Sequence, residues 1–235
     1  MSTTERGCTL PPLIDGERLD RATFHERYVA MPPDTRAQLI GGVVVIRGRT
    51  EWRHAQATAG LASWLSVYSM DLRELRPSAA CTIMLDDQAE PEPDLHLRVR
   101  PEYGGQTSED GEYLSGAPEL VIEVTVSSTR AADLGLKFAD YERTGVLEYL
   151  VVSFDPDEVH WFGRRGDRLV PLKPEADGVY RSELFPGLWL DPALVFDHDV
   201  DGLFKIAERG RLTPEFAAFR ADLAARRSRA DSDRL

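Results

Sequence analysis

Cysteine is nearly missing from this chain of 235 residues: Cys8 and Cys81 are the two, too few and too far apart for a zinc cluster or a disulfide framework. No apolar run approaches the roughly 20 residues that a membrane-spanning helix needs. The first residues also lack the basic and then apolar pattern of a secretory signal. The expectation is a soluble cytoplasmic protein, not associated with membranes, with reduced thiols. Positive charge is short as well, with 28 basic against 40 acidic residues and a formal net charge of -12. That balance excludes binding of phosphate polymers by bulk charge and leaves only local basic patches for such a role. Arg130, Arg143, Arg164, Arg165 and Arg168 are the candidates. No helix-turn-helix or zinc-finger pattern is present, so any sequence preference would come from the domain itself or a partner.

Lysine is the scarcest of the charged residues. Only Lys137, Lys173 and Lys205 occur, and the other 25 basic residues are arginines. In such a chain, a lysine inside a strand-to-helix element points to a use for its compact, titratable amine.

Lys137 lies in such an element, spanning 120–152. Leu120, Val121, Ile122 and Val124 suit a buried strand, and Glu123 stands among them. A carboxylate there costs several kcal/mol unless a cation, a proton or hydrogen-bond donors satisfy it. Small polar residues follow, with Ser128, Thr129 and Asp133 as helix N-cap candidates. Leu134, Phe138 and Tyr141 then mark one helical face, with Lys137 and Asp140 to one side, up to a stop near Gly145. A second apolar strand, 148–153, follows directly. Strand, helix and strand within about 35 residues predict a crossover between parallel strands, with the helix across one sheet face and a site at the strand's end facing the helix start. The plainer reading of Lys137 is an exposed partner for Asp133, four residues earlier.

A second carboxylate comes from PEPDLHL, in which prolines interrupt the chain before Asp94 opens an alternating strand through Leu95, Leu97 and Val99. Alone, Asp94 reads as a turn residue. Beside Glu123 it makes an oxygen-rich pair suited to Mg²⁺ or Mn²⁺.

The remaining pattern predicts one mixed α/β (α+β) domain over 1–212, with a central mixed sheet flanked by helices, and a C-terminal helix with a frayed tail over 213–235. Residues 19–31 read as a short helix ending at Pro32 and Pro33, and 38–46 as a hairpin turning at Gly41 and Gly42. A helix from His54 buries Ala57, Leu61, Trp64, Leu65 and Tyr68 on one face. The polar stretch 101–118 reads as a projecting loop. After Ser153, short strands form a meander.

The order of these pieces, PD, a strand carrying EV, then ST, D, K, Y, GV and EY, resembles the Uma-two family of restriction endonucleases within the PD-(D/E)XK nuclease superfamily. The likeness is dense from Pro93 to Val152 and looser from Thr23 to Tyr68. It implies a restriction-endonuclease-like fold and Mg²⁺- or Mn²⁺-dependent cleavage of nucleic acid, DNA foremost. Asp94 and Glu123 would hold the metal, and Lys137 would be the superfamily's lysine moved onto the helix. His54 matches a frequent family histidine, with Glu51 as a nearby acidic alternative. A homodimer would supply the two sites that cutting both strands calls for. The chain departs from the pattern at Val126, Ser127 and Ser153, and above all at Gln38, where the family usually carries glutamate. Loss of that acid leaves a rival reading, a nuclease fold that binds or assembles without cutting.

Overall fold

The computed structural model describes residues 10–126 and 133–232. The chain opens with α1 (Arg21–Val29), whose first turn is capped by the Asp20 carboxylate accepting from the Thr23 amide at 2.9 Å. The hairpin β1 (Ala37–Ile40) and β2 (Val43–Ile46) follows. Its two-residue turn needs two left-handed positions, supplied by Gly41 and Gly42 at φ 58° and 74°.

The centre is a six-stranded sheet built from β3 (Leu75–Ala79), β5 (Leu95–Val99), β8 (Leu120–Thr125), β9 (Glu148–Ser153), β10 (Glu158–Arg165) and β11 (Arg168–Pro171). Its spatial order is β11-β10-β9-β8-β5-β3. Only β8 and β9 pair in parallel, joined across α3 (Phe138–Thr144), and the other pairs are antiparallel. The crossover read from the sequence is therefore present, and Gly145 closes α3 at φ 98°. The N-cap candidates Ser128 and Thr129 lie outside the described residues.

One face of the sheet is covered by α2 (Trp52–Tyr68). Its Leu61, Trp64 and Leu65 pack with Ile122, Val124, Leu150 and Val152. The other face carries Val121, Tyr149 and Val151 against Tyr141 of α3. Layers on both sides explain why β5, β8 and β9 are buried at every position.

Two expectations are corrected. First, 101–118 is not a projecting loop. It contains β6 (Ser108–Asp110) and β7 (Tyr113–Ser115), turned at Gly111, and they form a small sheet with β4 (Ile83–Met84). The buried Glu119 carboxylate ties this segment back, accepting from the amides of Val99 and Gln106 at 2.8 and 2.9 Å. Arg98 joins Glu109 across it at 2.8 Å, so the polar positions of β5 are also buried.

Second, only β10 and β11 continue the sheet as a meander. β12 (Tyr180–Arg181) and β13 (Trp189–Leu190) pair separately. They lead into α4 (Pro192–Phe196) and α5 (Val200–Arg211), two helices the strand-like pattern had concealed. Asp191 and Asp199 cap them. Gly60 lets α5 approach α2 closely, since a Cβ there would sit 3.2 Å from Leu203. The last helix, α6 (Pro214–Ser232), buries Phe216 and Leu223 in the main core. The tail beyond it lies outside the described residues.

Candidate active site

Antiparallel register sets Leu95 opposite Ile122, which brings Asp94, one residue earlier, alongside Glu123. The Asp94 carboxylate confirms the approach by accepting from the Val124 amide at 2.9 Å. The prolines before Asp94 end the preceding segment, so the carboxylate stands at the mouth of the strand pair rather than within it.

Lys137 reaches the same place from the opposite layer. Residues Asp133–Lys137 form a widened π-type turn ahead of α3, a local expansion that recurs at functional sites. The Lys137 ammonium is 7% exposed and lies 3.0 Å from both Glu123 and Asp133. Both readings of this lysine meet here: it pairs with Asp133 as helical spacing requires, yet it is buried against Glu123. Tyr141, one turn further on, donates its hydroxyl to Glu123 at 2.9 Å.

From α2, His54 Nε2 lies 3.0 Å from Asp94, and its Nδ1 is buried with no hydrogen-bond partner among the described residues. From the segment after β2, Arg47 donates to Asp94 at 3.1 Å. These groups line one cavity of about 180 Å³, together with Gln38, Arg49 and Glu51. The structure thus brings Asp94, Glu123, Lys137, His54 and Gln38 around a single space. Gln38 lines it while its amide oxygen accepts from the Glu92 backbone at 3.1 Å.

Burial pushes the Asp94 carboxyl up, but His54, Lys137 and Arg47 outweigh it and hold the group well below the usual carboxylate range. Burial raises Glu123, and Lys137 opposes that rise while Asp94 and Asp133 add to it. Burial works against the Lys137 charge, yet Glu123, Asp133 and Asp94 more than compensate and keep the ammonium protonated. Four carboxyl groups, Glu51, Asp94, Glu123 and Asp133, therefore line this space with three cations, Lys137, Arg47 and Arg49.

A hard divalent ion fits this donor set. Among the described residues no group of three or more His, Cys, Asp or Glu side chains converges into an all-protein metal cage. Mg²⁺ does not need one, since it commonly takes one or two carboxylates and keeps water for the rest of its shell. Asp94 and Glu123 would supply two such oxygens by exchanging part of their contacts with Arg47 and Lys137, and a cation would offset the burial, and with it the repulsion from Asp94 and Asp133, that raises Glu123.

Arg47 was invisible to sequence reasoning because its contact is purely tertiary. Tyr141 had a local signal, since it follows Lys137 by four residues and so shares its helical side. The basic patch expected elsewhere is not free. Arg143 pairs with Asp86 and Asp140, Arg165 with Glu183, and Arg168 with Glu142. Arg164 donates to the carbonyls of Val146 and Glu142. Arg130 lies outside the described residues.

Residues 22–193 match the sequence profile of the Uma2 family, described as "Putative restriction endonuclease". The chain belongs to the Uma2 family. No curated protein matches it. Among solved structures, this Uma2 chain resembles the crystal structure of "a putative nuclease belonging to DUF820" from Anabaena variabilis, with a TM-score of 0.60 and 13% identity. That likeness covers 74% of this chain and 97% of the other. It shows that the two share a fold, a mixed sheet flanked by helices.

Proposed function

We propose that this Uma2 protein is a hydrolase that cleaves phosphodiester bonds in nucleic acid, DNA foremost, with Mg²⁺ or Mn²⁺. The observation that carries the reading is the convergence of Asp94, Glu123 and Lys137 on one small cavity. Asp94 and Glu123 would hold the ion, which when bound polarises a phosphoryl oxygen and acidifies a coordinated water.

The protein's own groups do the rest. Lys137, charged and paired with two carboxylates, would donate to a phosphoryl oxygen as negative charge grows on it. Arg47 and Arg49 add cationic hydrogen-bond donors on the cavity wall. His54, fixed through Nε2 to Asp94, leaves Nδ1 for a water or a substrate oxygen. Tyr141 locks the far oxygen of Glu123 and so orients the carboxylate.

Purified protein incubated with DNA and RNA should cut at least one of them with Mg²⁺ or Mn²⁺, and EDTA or Lys137→Ala should abolish the cutting. Cleavage indifferent to both would overturn the assignment. A second reading, a nuclease fold that binds without cutting, draws on Gln38, whose oxygen is committed to the Glu92 backbone where an acid would face the ion. Under that reading the same mixtures give complexes but no products.

A further inference from the structure

A cluster of arginines with few acidic partners lies at the far end of α2 from the cavity. An open groove of about 630 Å³ is lined by Arg73, Arg76 and Arg220, with Asp71 as its acidic member. Asp71 lies 3.7 Å from Arg211, which also donates to the Tyr68 carbonyl at the end of α2. Arg211 and Asp71 thus have a local explanation, the capping of a helix C-terminus. Arg76 uses one nitrogen on the carbonyls of Arg73 and Leu75 and acts on Glu109 only through space, with no ion pair among the described residues. Arg73 and Arg220 are exposed, and no carboxylate among the described residues pairs with either.

This arrangement is unusual for a chain of net charge -12, in which the arginines near α3 and β11 are paired with acids. The helix leading to the groove itself carries no acid, since no Asp or Glu occurs between Glu51 and Asp71. α2 connects the two places. His54 in its first turn lines the cavity, and Ser69 just after its end lines the groove. Its 17 residues span about 25 Å, the length of about seven base pairs of duplex.

We propose that the groove is a second anchorage for the phosphate backbone of a nucleic acid, with Arg73, Arg76 and Arg220 donating to phosphate oxygens one helix length from the cavity. This rests on the nuclease reading for the identity of the ligand, but not on cleavage. Open guanidinium donors without a closed pocket suit a polymer backbone better than one enclosed ion.

The test is fluorescence anisotropy of a labelled DNA duplex of about 20 base pairs in EDTA, where no cutting occurs, over a range of salt. Relative to wild type, the double variant Arg73→Ala, Arg220→Ala should bind about tenfold more weakly, with a log–log salt slope shallower by about two. Arg73→Lys, Arg220→Lys should retain most of the affinity, which separates charge loss from misfolding. Metal-dependent hydrolysis of bis(p-nitrophenyl) phosphate, a small diester that reaches only the cavity, should be unchanged in both variants. Loss of duplex affinity in the alanine variant supports the groove even if no substrate is cut, in which case only the cleavage reading fails. Equal affinity in wild type and the alanine variant, or no duplex binding by wild type, overturns it. So does displacement of the duplex by inorganic phosphate or anionic vesicles as readily as by unlabelled duplex at equal phosphate concentration.

Discussion

Glu123 and Glu148 sit on adjacent parallel strands, are 1% and 2% exposed, and differ in everything that surrounds them. Glu148 accepts four neutral donors: the amides of Glu183 and Leu184, the Ser182 hydroxyl and the Trp161 indole, all within 2.8 to 3.0 Å. It clamps the segment before β13 onto the sheet. Glu123 is held instead by a lysine and a tyrosine at the wall of a cavity, close to two other acids. Burial of a carboxylate therefore does not distinguish a site from a scaffold. The partners do: neutral backbone donors fix an acid permanently, whereas a charged side chain beside open space leaves room for a cation or substrate.

Substitutions at and around the two acids should separate activity from stability. Lys137→Met or Asp94→Asn should lower cleavage at least about a thousandfold while the protein stays folded. Glu148→Ala should do the reverse. It should lose roughly 3 to 5 kcal/mol of stability in a urea titration, because four donors lose their acceptor, with unchanged turnover per folded molecule. Equal effects on activity from both positions would erase the distinction.

The next effect is on pH. Burial pushes the Glu148 carboxyl up to about 7 against its four donors. Its folded value thus exceeds its unfolded one, so the stabilisation is complete below the unfolded value and is lost as pH rises through about 7. The change amounts to roughly 3 kcal/mol, and Glu148→Gln should flatten the pH dependence of unfolding in that window. Glu123 is raised too, so under the proposed function a proton would compete with metal there. Mn²⁺ affinity measured by calorimetry should therefore strengthen as pH rises, and Glu123→Gln should remove that dependence along with the binding. The smallest effect is expected for Arg47→Ala, which removes one of several cations at the cavity. Substrate affinity should fall by about 1 to 2 kcal/mol, read as a several-fold rise in KM.

Much of this architecture was legible because local rules and tertiary packing agree. Gly41 and Gly42 announced a hairpin, Gly145 a helix end, and the Leu120 to Val124 run a strand buried on both faces. Glu123 stood out because a carboxylate is awkward within an apolar strand, Lys137 because lysine is scarce in the chain, and Asp94 only once it was set beside Glu123. What escaped had no local signature or a misleading one. The 101–118 stretch looked like a loop because its polar strands are short, and Glu119, which ties it down, reads alone as a surface acid. α4 and α5 hid behind a run of short apolar segments, although Asp191 and Asp199 were available as caps. Arg47 and the Arg73 to Arg220 groove depend on contacts between distant segments, which no spacing in the sequence encodes.

What sets Glu123 apart from its equally buried neighbour Glu148 is its proposed place in a cation-binding centre. Calorimetric titration of Mn²⁺ into wild type, Glu123→Gln and Glu148→Gln tests it directly. A binding isotherm is expected in wild type, persisting in Glu148→Gln and vanishing in Glu123→Gln. Binding that survives in Glu123→Gln, or no binding in wild type, would contradict it.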